Sequence, residues 1–291
     1  MFGNGGISLL DPYEVAALRI FSAGIVLLPF LKNAIKRIPK KYWGYIILSG
    51  FTGNFLPAFL FCIAETRIDS ALTAMLNTVT PIAALLLGIL VYGSPVRLNQ
   101  WIGVMIGFAG CVMLFAGSNQ LFGGELSYAL LVVVATICYG FNVNMVRNKL
   151  AGVSSLDISA GAFAVYLLPS AIILFVSGFQ NHSFTKMPYV IAVSATSVLG
   201  IVGTALASVS FYKLVKNAGP VFASMVTYCI PFVAILWGAL YGETITARQV
   251  IGLLIILIGV YLAGRQGRPF TSRIRDEKKE TESISEQKNR P

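Results

Sequence analysis

Outside the chain's long apolar runs there is much charge; inside them only a few side chains could bind or react with anything. Asn54, Asn77 and Thr80 come first, then Tyr139, Asn142, Asn144, Tyr166, Thr204, Ser208, Thr227 and Tyr228. All are neutral donors or acceptors, suited to holding a solute by hydrogen bonds. Bond-making chemistry would need paired acids, a histidine cluster or an activated nucleophile. Instead His182 is the only histidine, and Glu65, Glu125, Asp157 and Glu243 stand at the ends of apolar runs. Cys62, Cys111, Cys138 and Cys229 lie within apolar runs without short Cys-Cys spacing, so they read as small packing residues. No catalytic residue, metal site or cofactor is expected, and no G-x-x-x-x-G-K-S/T loop for nucleotide is present.

Arg19 is the one charge well inside a run, roughly 9 Å from its start at about 1.5 Å per residue. A charge at that depth is a functional candidate, although it could instead snorkel to the interface or pair with Glu14. Each neutral polar residue likewise has two readings, a solute cavity or a hydrogen bond between helices.

The elements that must position these residues follow from composition. The chain has 291 residues, 56% hydrophobic and 12% charged, with a mean hydropathy of +0.76. That is too apolar for a soluble domain of this size. Runs of roughly 20 apolar residues, enough to cross about 30 Å of hydrocarbon, occur near 13–33, 42–64, 70–92, 98–116, 125–146, 156–178, 188–213, 219–241 and 246–264. These nine spans predict an all-α, polytopic membrane protein. A β-barrel would show short alternating segments, which are absent.

Two stretches share landmarks. Pro81 and Pro231, and Gly88 and Gly238, are each 150 apart; Tyr92 and Tyr241, Gly103 and Gly252, and Gly110 and Gly259 are each 149 apart. Pro81 and Pro231 each remove a helix hydrogen bond and are expected to bend their helices around a solute. The glycines are expected to let helix backbones approach closely. Gly103 and Gly107 also form a GxxxG pattern, which marks either a homodimer face or an intramolecular contact. The long period suits the two halves of a secondary transporter, not a solenoid.

The net charge of +10 sits in alternate loops. Lys32, Lys36, Arg37, Lys40, Lys41, Arg97, Arg147, Lys149, Lys213, Lys216 and the residues after Gly264 all fall on one side of a nine-span chain. The positive-inside rule makes that side cytoplasmic, so the charge sets orientation and predicts no nucleic-acid partner. Run 125–146 has no mate in the first half; an offset of about 144 places that mate before Met1. The expectation is a ten-helix protein of two inverted five-helix repeats, of which this sequence lacks the first helix. The boundaries are 1–117 for the first repeat, 118–265 for the second and 266–291 for a disordered cytoplasmic tail.

The doubled pattern of small residues, mid-helix Pro, Gly and Tyr-Gly, followed by Gly103/Gly110 and Gly252/Gly259, resembles the EamA-type repeat of the drug/metabolite transporter superfamily. Ala16-Ala17-Leu18-Arg19 after Pro12 is similar to that family's second-helix opening. The chain departs from the pattern at Ser94-Pro95, where the family usually has Glu, the residue kept as Glu243 in the second repeat. The resemblance implies a permease or exporter of small metabolites in the plasma or inner membrane, with the lipid bilayer and a small-molecule substrate as partners. It implies a central cavity but not the substrate; amino acids or related solutes moved by alternating access are the expectation. The competing readings are a non-transporting membrane assembly subunit and an intramembrane enzyme.

Overall fold

The computed structural model describes residues 9–68, 70–115, 126–182, 187–230, 232–233 and 247–264. Helix α1 is Pro12–Arg37 and α2 Lys40–Ala64; α3 is Ser70–Asn77, α4 Thr80–Leu90 and α5 Leu98–Phe115. Helix α6 is Leu126–Lys149, α7 Ser155–Val176, α8 Met187–Ala218, α9 Pro220–Ser224 and α10 Ala247–Gly264. Among the described residues, seven helical stretches are long and apolar enough to cross a bilayer, and Leu98–Met113 is a shorter apolar one. The chain is an all-α, polytopic membrane protein. Of the expected span 219–241, only residues 219–230, 232 and 233 are described.

Local chemistry sets the helix ends. The Asp11 carboxylate accepts from Tyr13 N–H at 2.8 Å, and Glu14 reaches back to accept from Asp11 N–H at 2.9 Å, a complete capping box ahead of α1. Glu14 is buried, and its other oxygen lies 3.1 Å from His182 Nε2. His182 is therefore a hydrogen-bond partner of Glu14 that also stacks on Tyr189 with centroids 4.7 Å apart. Because Glu14 is taken up this way, Arg19 is left to face elsewhere. Gly219 joins α8 to α9 with φ +91°, a conformation that any Cβ would strain.

Pro81 explains the break between α3 and α4. It has no N–H to offer the Asn77 carbonyl four residues back, and the Thr80 hydroxyl donates to that oxygen instead, at 2.7 Å. In the second half the chain also loosens before its proline: α9 gives way to a 3-10 turn at Met225–Tyr228. Pro231 itself, Gly238 and Glu243 lie outside the described residues.

Helix pairing exposes the symmetry. Helix α1 packs along α7, its repeat mate, and α5 packs along α10, its mate. A methyl built on Gly103 would meet Gly259 O at 2.5 Å, and one on Gly110 would meet Gly252 O at 2.9 Å. Since Gly103 matches Gly252 and Gly110 matches Gly259, exchanging the halves turns one contact into the other, as only a twofold axis does. The register runs antiparallel, so this axis is perpendicular to both helices and the two repeats are inverted. The GxxxG face is consumed internally as well, for a methyl on Gly107 would lie 2.4 Å from the Tyr228 ring.

Helices α2 and α8, also mates, each contain a π-helical stretch, at Phe51–Phe55 and at Leu199–Leu206. Wider turns of this kind displace side chains from the regular helical track and recur at functional sites. The basic residues gather at one end of the bundle. There Arg37 lies 4.0 Å from Asp157, the Arg147 guanidinium donates to the Lys216 carbonyl, and Lys216 Nζ donates to the Val153 carbonyl.

Candidate functional site

The two π-helical stretches border a chamber of about 960 Å³. Its walls come from α1, α2, α3, α4, α6, α8 and α9 and the 3-10 turn after α9. The volume lies within the range of pockets that enclose a drug-sized solute.

Two close approaches aim the polar groups. At Gly53, in the π-helical stretch of α2, a methyl would sit 2.1 Å from Asn142 Nδ2, so only glycine lets α6 bring Asn142 inward. At Gly200, in that of α8, a methyl would collide with Ser22 Oγ at 1.9 Å and Arg19 O at 2.6 Å. That contact seats α1 on α8 and carries Arg19 to the chamber wall beside Thr204.

A polar cluster lies at mid-bundle. The Ser49 hydroxyl donates to Asn142 Oδ1 at 2.8 Å, and the Ser208 hydroxyl donates to Asn54 Oδ1 at 2.9 Å. Asn142 and Asn54 donate their amide hydrogens to the Tyr212 hydroxyl at 3.3 and 3.1 Å. Ser49, Asn142 and Tyr212 are almost wholly buried, so the cluster is satisfied from within. Nearer the opposite end, Arg19 Nη2 donates to Thr204 Oγ1 at 3.5 Å. Glu65 borders the same space just past the end of α2. Burial raises its carboxyl pKa above the usual 4.5, while the Arg19 guanidinium pulls it back down.

An arrangement of neutral hydrogen-bonding groups around a sizeable chamber, framed by inverted repeats, is equipped to hold a solute. A profile described as the EamA-like transporter family matches residues 1–116 and 126–265. The chain belongs to the EamA-like transporter family. It is a membrane transporter. The inner membrane transporter YedA of Escherichia coli K12, itself called uncharacterized, is 26% identical over 263 residues, which cover 88% of this chain and 83% of that one. An uncharacterized transporter of Archaeoglobus fulgidus is 23% identical over 267 residues, 89% of this chain and 91% of that protein. A crystal structure 20% identical in sequence superposes with a TM-score of 0.69, covering 87% of each chain, and so shares the fold.

Within this EamA-like transporter, Asn54, Asn77, Thr80, Tyr139, Asn142, Thr204 and Thr227 all border the chamber, together with Ser208 and Arg19. Three other expected residues do not. Tyr166 points its hydroxyl at Ile47 O, 3.0 Å away, and stacks on Phe55 with centroids 4.8 Å apart. Tyr228 is fully buried against α5, its hydroxyl donating to Val104 O at 3.0 Å. Asn144 spends its amide on Ala84 O and Gly140 O, at 2.7 and 2.8 Å, and a methyl on Gly88 would touch its Oδ1 at 2.9 Å. Each turns to a neighbouring helix because its helical phase faces that helix, which no single-chain pattern reveals.

The chamber also includes residues the sequence did not single out. Tyr212 sits one residue before Lys213, where a span end was expected, yet it accepts from both asparagines. Glu65, which stands at the end of an apolar run, borders the chamber, and so does Cys62. Cys62 and Cys111 are buried as expected, whereas Cys229 is exposed. The nearest available clue was Gly53 beside Asn54, a small residue next to a polar one in an apolar run.

Proposed function

We propose that this chain is a secondary transporter of small metabolites, amino acids or related solutes, working by alternating access in the inner membrane. The observation that carries the proposal is the chamber of about 960 Å³ at the meeting of two inverted halves, lined from both. Inverted repeats make two mirrored gating arrangements of nearly equal energy available, which is what alternating access requires. The breaks before Pro81 and Pro231 and the π-helical stretches in α2 and α8 are the places where such helices would bend. The basic end of the bundle is assigned to the cytoplasm, with the segment after Gly264 on that side. The repeats are assigned to 1–117 and 118–265, and transport rather than catalysis is the activity.

Purified protein in proteoliposomes, offered a labelled panel of amino acids, sugars, nucleosides and organic acids, should accumulate or exchange at least one of them in a saturable way. Asn54→Leu should cut that flux about tenfold or more, since it removes a chamber hydrogen bond and strands the Ser208 donor. A flat response across the panel from protein that is folded and monodisperse would overturn the proposal.

A further inference from the structure

Arg19 and Glu65 approach one chamber from different helices, and among its described lining residues they are the only pair of opposite charges. The guanidinium is poorly served by the protein. Its Nε is buried without a hydrogen-bond partner, Nη2 has the long 3.5 Å bond to Thr204, and the Cys62 sulfur, a weak acceptor, is a further partner. Five N–H donors in a planar fork match the two oxygens of a carboxylate. On the same chamber wall Thr73 Oγ1 is also buried and unpartnered, so the polar surface there is under-satisfied in more than one place. Such groups are costly in an apolar surrounding unless a partner arrives.

We propose that Arg19 and Glu65 form a two-point site for a dipolar solute, with Arg19 and Thr204 taking its acidic group and Glu65 taking its amine. This rests on the transport reading above and narrows it to molecules carrying one group of each sign. The charge balance favours that class. A zwitterion gives each protein charge a counter-charge and leaves the loaded chamber's net charge unaltered. A simple amine would leave Arg19 unpaired and repelled, and a simple acid would do the same to Glu65. Burial raises the Glu65 carboxyl pKa, so an incoming ammonium would stabilise the charged form as Arg19 is drawn to the solute.

The test uses the full chain in proteoliposomes and four labelled mixtures: the common neutral amino acids, their decarboxylated amines, their deaminated acids, and a set of uncharged sugars and nucleosides. The amino acids should enter at least tenfold faster than either singly charged mixture. Arg19→Gln should lower their entry by ten- to a hundredfold, with partial recovery in Arg19→Lys, and Glu65→Gln should narrow the preference for amino acids over deaminated acids. Equal entry of amino acids and amines, or wild-type amino-acid entry in Arg19→Gln, overturns the two-point site while transport stands. Entry of the uncharged set alone does the same. If no mixture enters, the transport reading falls too. Wild-type selectivity decides the matter even if a variant fails to fold.

Discussion

The α5–α10 crossing and the chamber beside it are built from the same pair of repeats, yet one is closed and the other is open. At the crossing, Gly103, Gly110, Gly252 and Gly259 let the two backbones come into direct contact. In a bilayer, where lipid is as apolar as leucine, such close approach is what drives helices together. Around the chamber other helices bring bulk and polarity: Asn54 and Tyr212 on α2 and α8, which loosen at Phe51–Phe55 and Leu199–Leu206, with Asn142 on α6, Arg19 on α1 and the break before Pro81 beside them. The lesson is that symmetry places the mates opposite one another, and residue size and backbone regularity then decide whether they close on each other or leave room.

The sharpest way to break the crossing is Gly259→Leu. A Cβ there would already lie 2.5 Å from Gly107 N and 2.6 Å from Gly103 O, both backbone atoms that cannot rotate away. The expected loss is about 3 kcal/mol or more, seen as a collapse of thermal stability or of monodisperse yield in detergent. Gly44→Ala, whose Cβ would meet nothing within 4 Å, is the matched control and should change stability by less than about 1 kcal/mol. Similar losses for both substitutions would show that the crossing is not what holds the halves.

Tyr212→Phe tests the chamber side with a smaller effect. It leaves the Asn54 and Asn142 amides without their shared acceptor, at a cost of about 1–3 kcal/mol. The measurement is the melting temperature together with solute flux, and flux should fall more than stability alone explains. A variant that melts and transports like the parent would mean that the cluster is not coupled to the chamber.

The smallest effect concerns Glu65 and pH. Its pKa is raised in the folded protein, so the folded state holds the proton more tightly than the unfolded state does. That contribution is complete below the ordinary 4.5 and is lost as pH climbs through the raised value. Glu65→Gln cannot titrate, so from pH 4.5 upward its melting temperature should fall less steeply than the parent's. Parallel curves would indicate that Glu65 meets water instead of the chamber.

Several of these features can be read along the chain, and others cannot. Pro81 and the paired glycines announce themselves by spacing, because a repeat is a property of position in the sequence. Tyr166 and Tyr228 looked equal to Tyr139, since all three are polar residues in apolar runs; only helix rotation sends Tyr139 to the chamber and the other two into neighbouring helices. Glu65 and His182 stand outside the apolar runs, and position along the chain does not show what they meet. Arg19, whose charge acts on Glu65, and Glu14, which meets His182, both lie far away in sequence on α1.

What the sequence by itself determined is the membrane class, the helical architecture and the inverted doubling. Hydropathy, proline and glycine spacing, and the side on which lysine and arginine fall are all readable without coordinates. Only the tertiary structure decided which polar groups meet. Two π-helical stretches, at Phe51–Phe55 and Leu199–Leu206, and two glycine approaches, at Gly53 and Gly200, set how α1, α2, α6 and α8 meet in rotation and depth. An asparagine's hydrogen bond depends on both to within a fraction of an ångström, and neither is written in the order of residues.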